Sequence, residues 1–352
     1  MASGNVMLPE LVWVGEICYR KLPIKYPDAG EEEEEVAVEA SFQPDYQDEP
    51  DCSIDDGPSV EEVGSGVFKC SVSVASDYRA SIIGKGGSIK KQFESETGTS
   101  IHIPERGKDG FVVIKGTNRN SVTAARNRIL LKVRRARQTR PFTHFVSLPL
   151  TEKRVEKAFA AFQEAVLKLS QPSPVTSSLF QSPAKLHLTL GMLTIAGQHE
   201  AEEAKQAFLK AVEVARERMG SKSGSLNFRL KGLEIMNDDP SAVDVLYAKI
   251  TDTDGQSEPQ LLRIIGETVQ EEMGRLSQFT RDKEPRLKLH ATLINSKWGQ
   301  GQGRATFDAQ PILAAFSDWD FGCFSAPSLH LSIRNAAPVP DGYYASLIQV
   351  PL

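Results

Sequence analysis

The chain is poor in cysteine: four in 352 residues, at Cys18, Cys52, Cys70 and Cys323. None forms a Cys-x-x-Cys pair, so neither a zinc framework nor a disulfide scaffold is expected. Aromatic residues make up 7% and tryptophan only three positions. No apolar run approaches the roughly 20 residues that span a bilayer. The N-terminus, Met1-Ala2-Ser3-Gly4, has no basic region followed by an apolar one, so no secretory signal is expected. Carboxylates are not clustered in the way that holds a divalent cation, so no metal and no cofactor are expected. What is left is an intracellular, reduced protein with 40% hydrophobic and 25% charged residues, long enough for two domains.

The net charge of −5 averages two opposite regions. Residues 27–68 hold 15 acidic residues and no Lys or Arg. Residues 69–140 hold 16 Lys/Arg against 5 Asp/Glu, a local net of +11. A basic block of that size inside an acidic protein points to a polyanionic partner.

Four segments follow from pattern. Residues 1–26 carry a short apolar patch, Leu11 to Val14, then Tyr19-Arg20-Lys21, and suit a partner-docking segment. Residues 27–66, with Glu31 to Glu35, suit a disordered acidic linker. Residues 67–137 read β-α-α-β-β-α, with Asp77 capping the first helix and an apolar stripe of Val122, Ala125, Ile129, Leu130 and Val133 on the last. Residues 141–352 read as a second unit of strand–helix–strand–helix–strand–strand–helix–strand. The fold class is α+β in two domains.

Ile82-Ile83-Gly84-Lys85-Gly86-Gly87 joins two helical stretches. Glycines let a backbone approach phosphates and adopt positive φ, and a helix N-terminus favours anions. The spacing is not a Walker A loop, and no strand leads into it as a dinucleotide fold requires. This loop, with the element order, resembles a type I KH domain. The resemblance implies that Gly84, Lys85, Gly86 and Gly87 clamp single-stranded RNA or DNA, with Ile82, Ile89 and Ile103 lining the groove.

The second unit contains two near-identical hexamers, Lys185-Leu186-His187-Leu188-Thr189-Leu190 and Lys288-Leu289-His290-Ala291-Thr292-Leu293. On a strand, residues i and i+2 share a face, so each copy sets a His beside a Thr and apolar residues opposite. Two imidazoles can act as base and acid on a phosphodiester, and two hydroxyls can donate to its oxygens. His187, Thr189, His290 and Thr292 are therefore the candidate catalytic set. Lys185 and Lys288, at i−2, share that face in a regular strand and are candidates for holding substrate phosphate. His102, His144, His199 and His330 lack the motif and are expected to be structural or at the surface. The Gly-rich stretch from Trp298 to Arg304 reads as a flexible connection beside the cleft.

The paired His-x-Thr motifs resemble the 2H phosphoesterase superfamily, and their repeat matches its duplicated two-lobed fold. That resemblance implies metal-independent action on cyclic phosphodiesters, 2′,5′ linkages or RNA 3′ ends. The combination of acidic linker, KH and 2H domains further resembles a subunit of a nuclear, helicase-containing complex tied to transcription and alkylation repair. Two readings follow: a single-strand-binding phosphodiesterase, or a non-catalytic adaptor that tethers such a complex to nucleic acid. An enzyme of small cyclic nucleotides is a third.

Overall fold

A computed structural model describes residues 10–14, 17–21, 58–64, 66–105, 108, 110–169, 175–220, 226–280, 286–299, 306–337 and 339–352. It divides into two compact units: Pro23–Ala136, and Arg137–Leu352 together with Met1–Leu22. Most of the acidic segment, residues 27–57, lies outside the described residues.

β1 (Glu10–Val14) and β2 (Ile17–Lys21) pair antiparallel as a separate two-stranded sheet. The first unit then runs β3 (Glu61–Glu62), β4 (Phe68–Val72), α1 (Ser76–Ile83), α2 (Ser88–Thr97), β5 (Ser100–His102), β6 (Val112–Gly116) and α3 (Arg119–Gln138). Its sheet order is β3-β4-β6-β5. The two-residue strand β3 is the tail of the stretch that reads as linker. It pairs with β4, and Pro58 just before it accepts a hydrogen bond from Arg126 Nη1 at 2.9 Å. Charge alone hid this edge, because an exposed edge strand needs only its backbone groups to pair. Val122, Ala125, Ile129 and Val133 on α3 are buried, as the stripe predicts, while Leu130, next to Ile129 and so turned 100° from it, is only partly buried. The start of α1 differs from expectation. Its N-cap is Ala75, and Asp77 lies inside the first turn, where a carboxylate still suits the positive end of the helix dipole.

The second unit is one large sheet with helices packed on it. Its elements are β7 (His144–Pro149), α4 (Lys153–Leu167), β8 (His187–Leu193), α5 (Gly197–Met219), β9 (Asn227–Ile235), β10 (Val245–Asp252), α6 (Gln260–Met273), β11 (Phe279–Thr280), β12 (His290–Asn295), α7 (Gln310–Phe316), β13 (Asp320–Ser325), β14 (Ser328–Ile333) and β15 (Ser346–Pro351). The strand order β13-β9-β10-β12-β8-β7-β14-β15 forms two four-stranded halves that meet where β12 touches β8, with β11 a ninth strand on β8. The repeat in sequence is thus a repeat in space. β13 had no sequence signal: Asp320-Phe321-Gly322-Cys323 alternates too weakly to stand out.

Helices bury one stripe each. On α5 the buried set is Ala204, Phe208, Ala211, Val212, Ala215 and Met219, and on α6 it includes Leu262, Ile265, Val269 and Met273. α6 packs on β8 and α5 on β14 and β15, and in the same core the backs of the two His strands, Leu188, Leu190, Ala291 and Leu293, are each fully buried. Arg137 anchors the start of this unit: its guanidinium donates to Glu200 Oε1 and Oε2 at 2.7 and 2.8 Å and to the Thr194 carbonyl at 2.6 Å, all buried.

Gly191 lies on β8 where Phe279 of β11 closes over it. A Cβ built there meets the Phe279 ring at 2.5 Å. Gly191→Ala is therefore expected to overpack the site and cost about 1–3 kcal/mol. Urea denaturation measures it; a midpoint equal to the parent's would mean that the ring swings aside freely.

Candidate active site and single-strand interface

β12 and β8 are antiparallel, with Ala291 opposite Leu188. Continuing that register sets His187 opposite Thr292 and His290 opposite Thr189. The two motifs therefore interleave: each His faces the Thr of the other copy. Side chains alternate across the pair. His187, Thr189, His290 and Thr292 are partly exposed on one face, while Leu188, Leu190, Ala291 and Leu293 face the core.

Both rings are fixed in the same way. His187 Nδ1 lies 2.7 Å from the Lys185 carbonyl, and His290 Nδ1 lies 2.7 Å from the Lys288 carbonyl. A carbonyl can only accept, so Nδ1 carries the proton in each and Nε2 is the nitrogen of the neutral ring with a lone pair. The two lysines thus orient the histidines through their backbones. The strands begin at the histidines themselves, while Lys185 ends a 3-10 turn, Pro183–Lys185. Neither lysine is inside its strand, yet each side chain stays on the side of its histidine.

Each ammonium lies over a tyrosine. Lys185 Nζ is 5.0 Å from the centroid of Tyr344, and Lys288 Nζ is 4.8 Å from that of Tyr247. Those rings pack against the histidines: Tyr344 on His187 at 5.5 Å and Tyr247 on His290 at 5.1 Å. A His–Lys–Tyr group is thus repeated once per lobe. Tyr247 is placed by β10, whose register sets Tyr247 opposite Thr292 and Lys249 opposite His290. Tyr344 comes from the segment just before β15. Neither was legible in sequence, since both come from outside the hexamers and no spacing ties them to the histidines. The turn signal Asp341-Gly342 ahead of Tyr343-Tyr344 was the one available hint.

The lobes differ in what surrounds this group. Beside His187 stands Phe145, with ring centroids 5.0 Å apart, and Phe145 meets Tyr344 at 5.0 Å. Beside His290 stands Glu234, which accepts from the Tyr247 hydroxyl at 2.5 Å and lies 3.9 Å from Lys288 Nζ. Burial in the aromatic wall pushes the His187 pKa down from 6.5 to about 4; the Lys185 carbonyl pulls it up, and His290 pushes it further down. Neutral imidazole is the form that this lobe favours.

The remaining histidines serve elsewhere. His144 Nδ1 is 2.8 Å from Thr143 Oγ1, and burial lowers its pKa. His330 is buried against Tyr343. His199 pairs with Glu203 at 3.6 Å, and His102 is exposed. Residues 300–305, including Arg304, lie outside the described residues.

In the first unit the glycine loop stands between α1 and α2. Gly84, Gly86 and Gly87 have φ of 72, 61 and 77°. Gly84 is needed twice over, because a Cβ there would also meet Ile89 Cγ1 at 2.7 Å. At Gly86 and Gly87 a Cβ meets nothing within 4 Å, and Lys85 is exposed, so this side of the loop is open to a partner. Ile89 and Ile103 are partly exposed. Ile82 differs from expectation: at 1% exposure it belongs to the core, and Ile83 beside it is partly exposed. A helix turns 100° per residue, so adjacent isoleucines cannot both line one groove.

Together these features define a KH domain joined to a 2H phosphoesterase-like domain. The KH domain family matches residues 69–131, and the family described as "AKAP7 2'5' RNA ligase-like domain" matches residues 142–352. Activating signal cointegrator 1 complex subunit 1 of Mus musculus is 36% identical over 366 residues, covering 97% of this chain and 98% of the relative. The chain belongs to the family of that subunit. An uncharacterized protein of Schizosaccharomyces pombe is 27% identical over 213 residues, 59% of this chain and 95% of its own. The solved structure of TT0787 from Thermus thermophilus aligns at 20% identity over 60% of this chain and 97% of that one, with a TM-score of 0.35, too low to carry weight. Among the described residues no helix is long and apolar enough to cross a membrane.

The loop geometry separates two substitutions. Lys85→Asp with Gly86→Asp is expected to abolish single-strand binding in fluorescence anisotropy while leaving thermal stability close to parental. Asp is among the residues that bear the left-handed conformation of Gly86 at least strain, and the side chain added there enters open space. Gly84→Ala is expected to lose at least about 1 kcal/mol of stability, because alanine there is strained and crowded. Unchanged affinity in the first variant would remove the loop from the binding surface.

Proposed function

We propose that this chain captures single-stranded RNA or DNA through its KH loop and performs metal-independent phosphodiester chemistry at His187 and His290. Nucleic-acid phosphodiesters, cyclic phosphates or RNA 3′ ends are its substrates. The observation that supports this most is the interleaved register, with each His across from the other motif's Thr and each Nδ1 held by a carbonyl. A structural pair of histidines has no need of matched tautomers and matched hydroxyls.

The asymmetry between lobes supports a division of labour. His187, kept neutral by burial, takes the proton of the attacking hydroxyl or water at Nε2. The nucleophile's oxygen then forms its bond to phosphorus as the bond to the leaving oxygen breaks. His290, entering as imidazolium, gives that oxygen its proton, and each ring ends in the other's starting state. Thr189 and Thr292 donate to the non-bridging oxygens as charge builds there. Lys185 and Lys288, each over a tyrosine that touches its histidine, supply positive charge at the rim.

The mouse relative is by name a subunit of the activating signal cointegrator 1 complex. We infer that this chain occupies the same place: a nuclear complex with a helicase and further subunits, serving transcription and alkylation repair, with residues 1–26 as docking segment.

A metal-free cleavage screen tests the chemistry, using single-stranded RNA, single-stranded DNA, 2′,5′-oligoadenylate and 2′,3′-cyclic-phosphate ends. His187→Ala and His290→Ala are each expected to lower the rate by about 100-fold or more. Wild-type failure on all four substrates would leave the adaptor role in its place. The pH profile tests the assignment of base. His187 acts when neutral and His290 when protonated, so kcat/KM should be bell-shaped, with its acid limb centred near 4 and a fall on the alkaline side as His290 loses its proton. An acid limb centred near 6.5 would take the base role away from a buried His187.

A further inference from the structure

Beside the His290 lobe lies an open trough of about 1090 Å³. It begins at Lys288 and Tyr247, the groups that hold His290, and its lining includes Lys231, Lys249, Arg263 and Arg286. Part of its floor is the cleft face of the sheet, because Lys249 is the cross-strand partner of His290 and Tyr247 that of Thr292. The five cations share only three lining carboxylates. Glu258 pairs with both Arg263 and Arg286, and Asp318 lies 3.1 Å from Lys231 Nζ. Glu234 is the third, and it is divided between Lys249 at 3.7 Å, Lys288 at 3.9 Å and the Tyr247 hydroxyl. The trough thus keeps a net charge of +2, with its loosest ion pairs nearest the histidines.

The backbone is shaped to present one of these lysines. Gly232 interrupts β9 with φ of +83°, and a Cβ there would meet Lys249 Cε at 2.7 Å. The missing side chain gives the Lys249 stem room to lie across the sheet. On the His187 side the described residues are mainly aromatic: Phe145 and Tyr344 wall His187, and Phe142 carries Arg334 at 4.2 Å. The repeated catalytic group therefore sits between an aromatic wall and a cationic track.

We propose that this trough is a backbone track, and that the second domain takes an oligonucleotide whose further phosphates run from His290 over Lys288, Lys249 and Lys231. A small cyclic nucleotide has a single phosphate and leaves the track empty. This rests on the phosphodiester reading above and narrows its substrate to a chain of several nucleotides.

The test measures binding, so it stands whether or not the protein cleaves. The full chain carries Lys85→Asp and Gly86→Asp to silence the KH loop and His187→Ala to prevent turnover. Its affinity for a single-stranded RNA octamer and for a dinucleotide is followed across a salt series. The octamer should bind more tightly and with the steeper salt dependence. Lys231→Gln with Lys249→Gln should then weaken the octamer and lower its log–log salt slope by about 0.7 per lysine, the single-strand value per phosphate contact. Asp318→Asn, at a side chain 83% exposed, should tighten octamer binding, a gain that misfolding cannot mimic. The track is overturned if octamer and dinucleotide bind alike, or if neither charge change moves octamer affinity and salt slope.

Discussion

Leu188 lies opposite Ala291, and the alignment of the two His-Thr pairs depends on that cross-strand contact. It joins two four-stranded halves into one sheet and sets its register. A slip of one residue would turn either His-Thr pair into the core and bring leucines to the cleft. Ala291, placed between Ala248 of β10 and Leu188 of β8, is fully buried, as are both partners. Burial of these back faces is what fixes the front. The hydrophobic effect acts on Leu188, Leu190, Ala291 and Leu293, and the histidines are aligned because their neighbours are driven inward.

From that junction outward the two lobes repeat and then diverge. Repetition extends through the Nδ1–carbonyl bond, the lysine above a tyrosine, and the tyrosine against the histidine. Divergence begins one layer further, with Phe145 on one side and Glu234 on the other. Acid–base chemistry on one phosphate needs two imidazoles in opposite protonation states, which perfect symmetry cannot supply. An aromatic wall disfavours charge on His187, and a carboxylate with a hydroxyl and two ammonium groups makes the other side polar. The same divergence gives the cleft a direction, with more aromatic rings on one flank and a trough of five cations on the other.

Much of this was legible beforehand, for identifiable reasons. The glycine loop announced itself because three positive-φ positions in four residues leave few other residue types possible. The His strands announced themselves by repeating. α5 and α6 follow their apolar stripes closely, since long amphipathic helices carry many turns of the same signal. Elements that pair mainly through backbone were harder: β3 hid at the end of an acidic run, and β13 in a weak alternation around Gly322. Ile82 was misassigned because a motif names a neighbourhood, and only the helix phase says which isoleucine faces out.

The sequence by itself determined which chemistry is present: two imidazoles, two hydroxyls, a glycine loop and a strongly basic block. It also determined the back faces, because alternation within one strand is a local property. Tertiary structure decided everything that needed two distant segments at once. It interleaved the motifs so that the register sets each His across from the other's Thr. It set the Lys185 and Lys288 carbonyls against the His187 and His290 rings, which fixes the tautomers. It brought Tyr247 and Tyr344 from outside the repeat, placed Lys249 across from His290 and set Lys231 farther along the same trough. Such relations depend on strand order and register, which arise from how whole faces bury together, and no spacing along a chain encodes them.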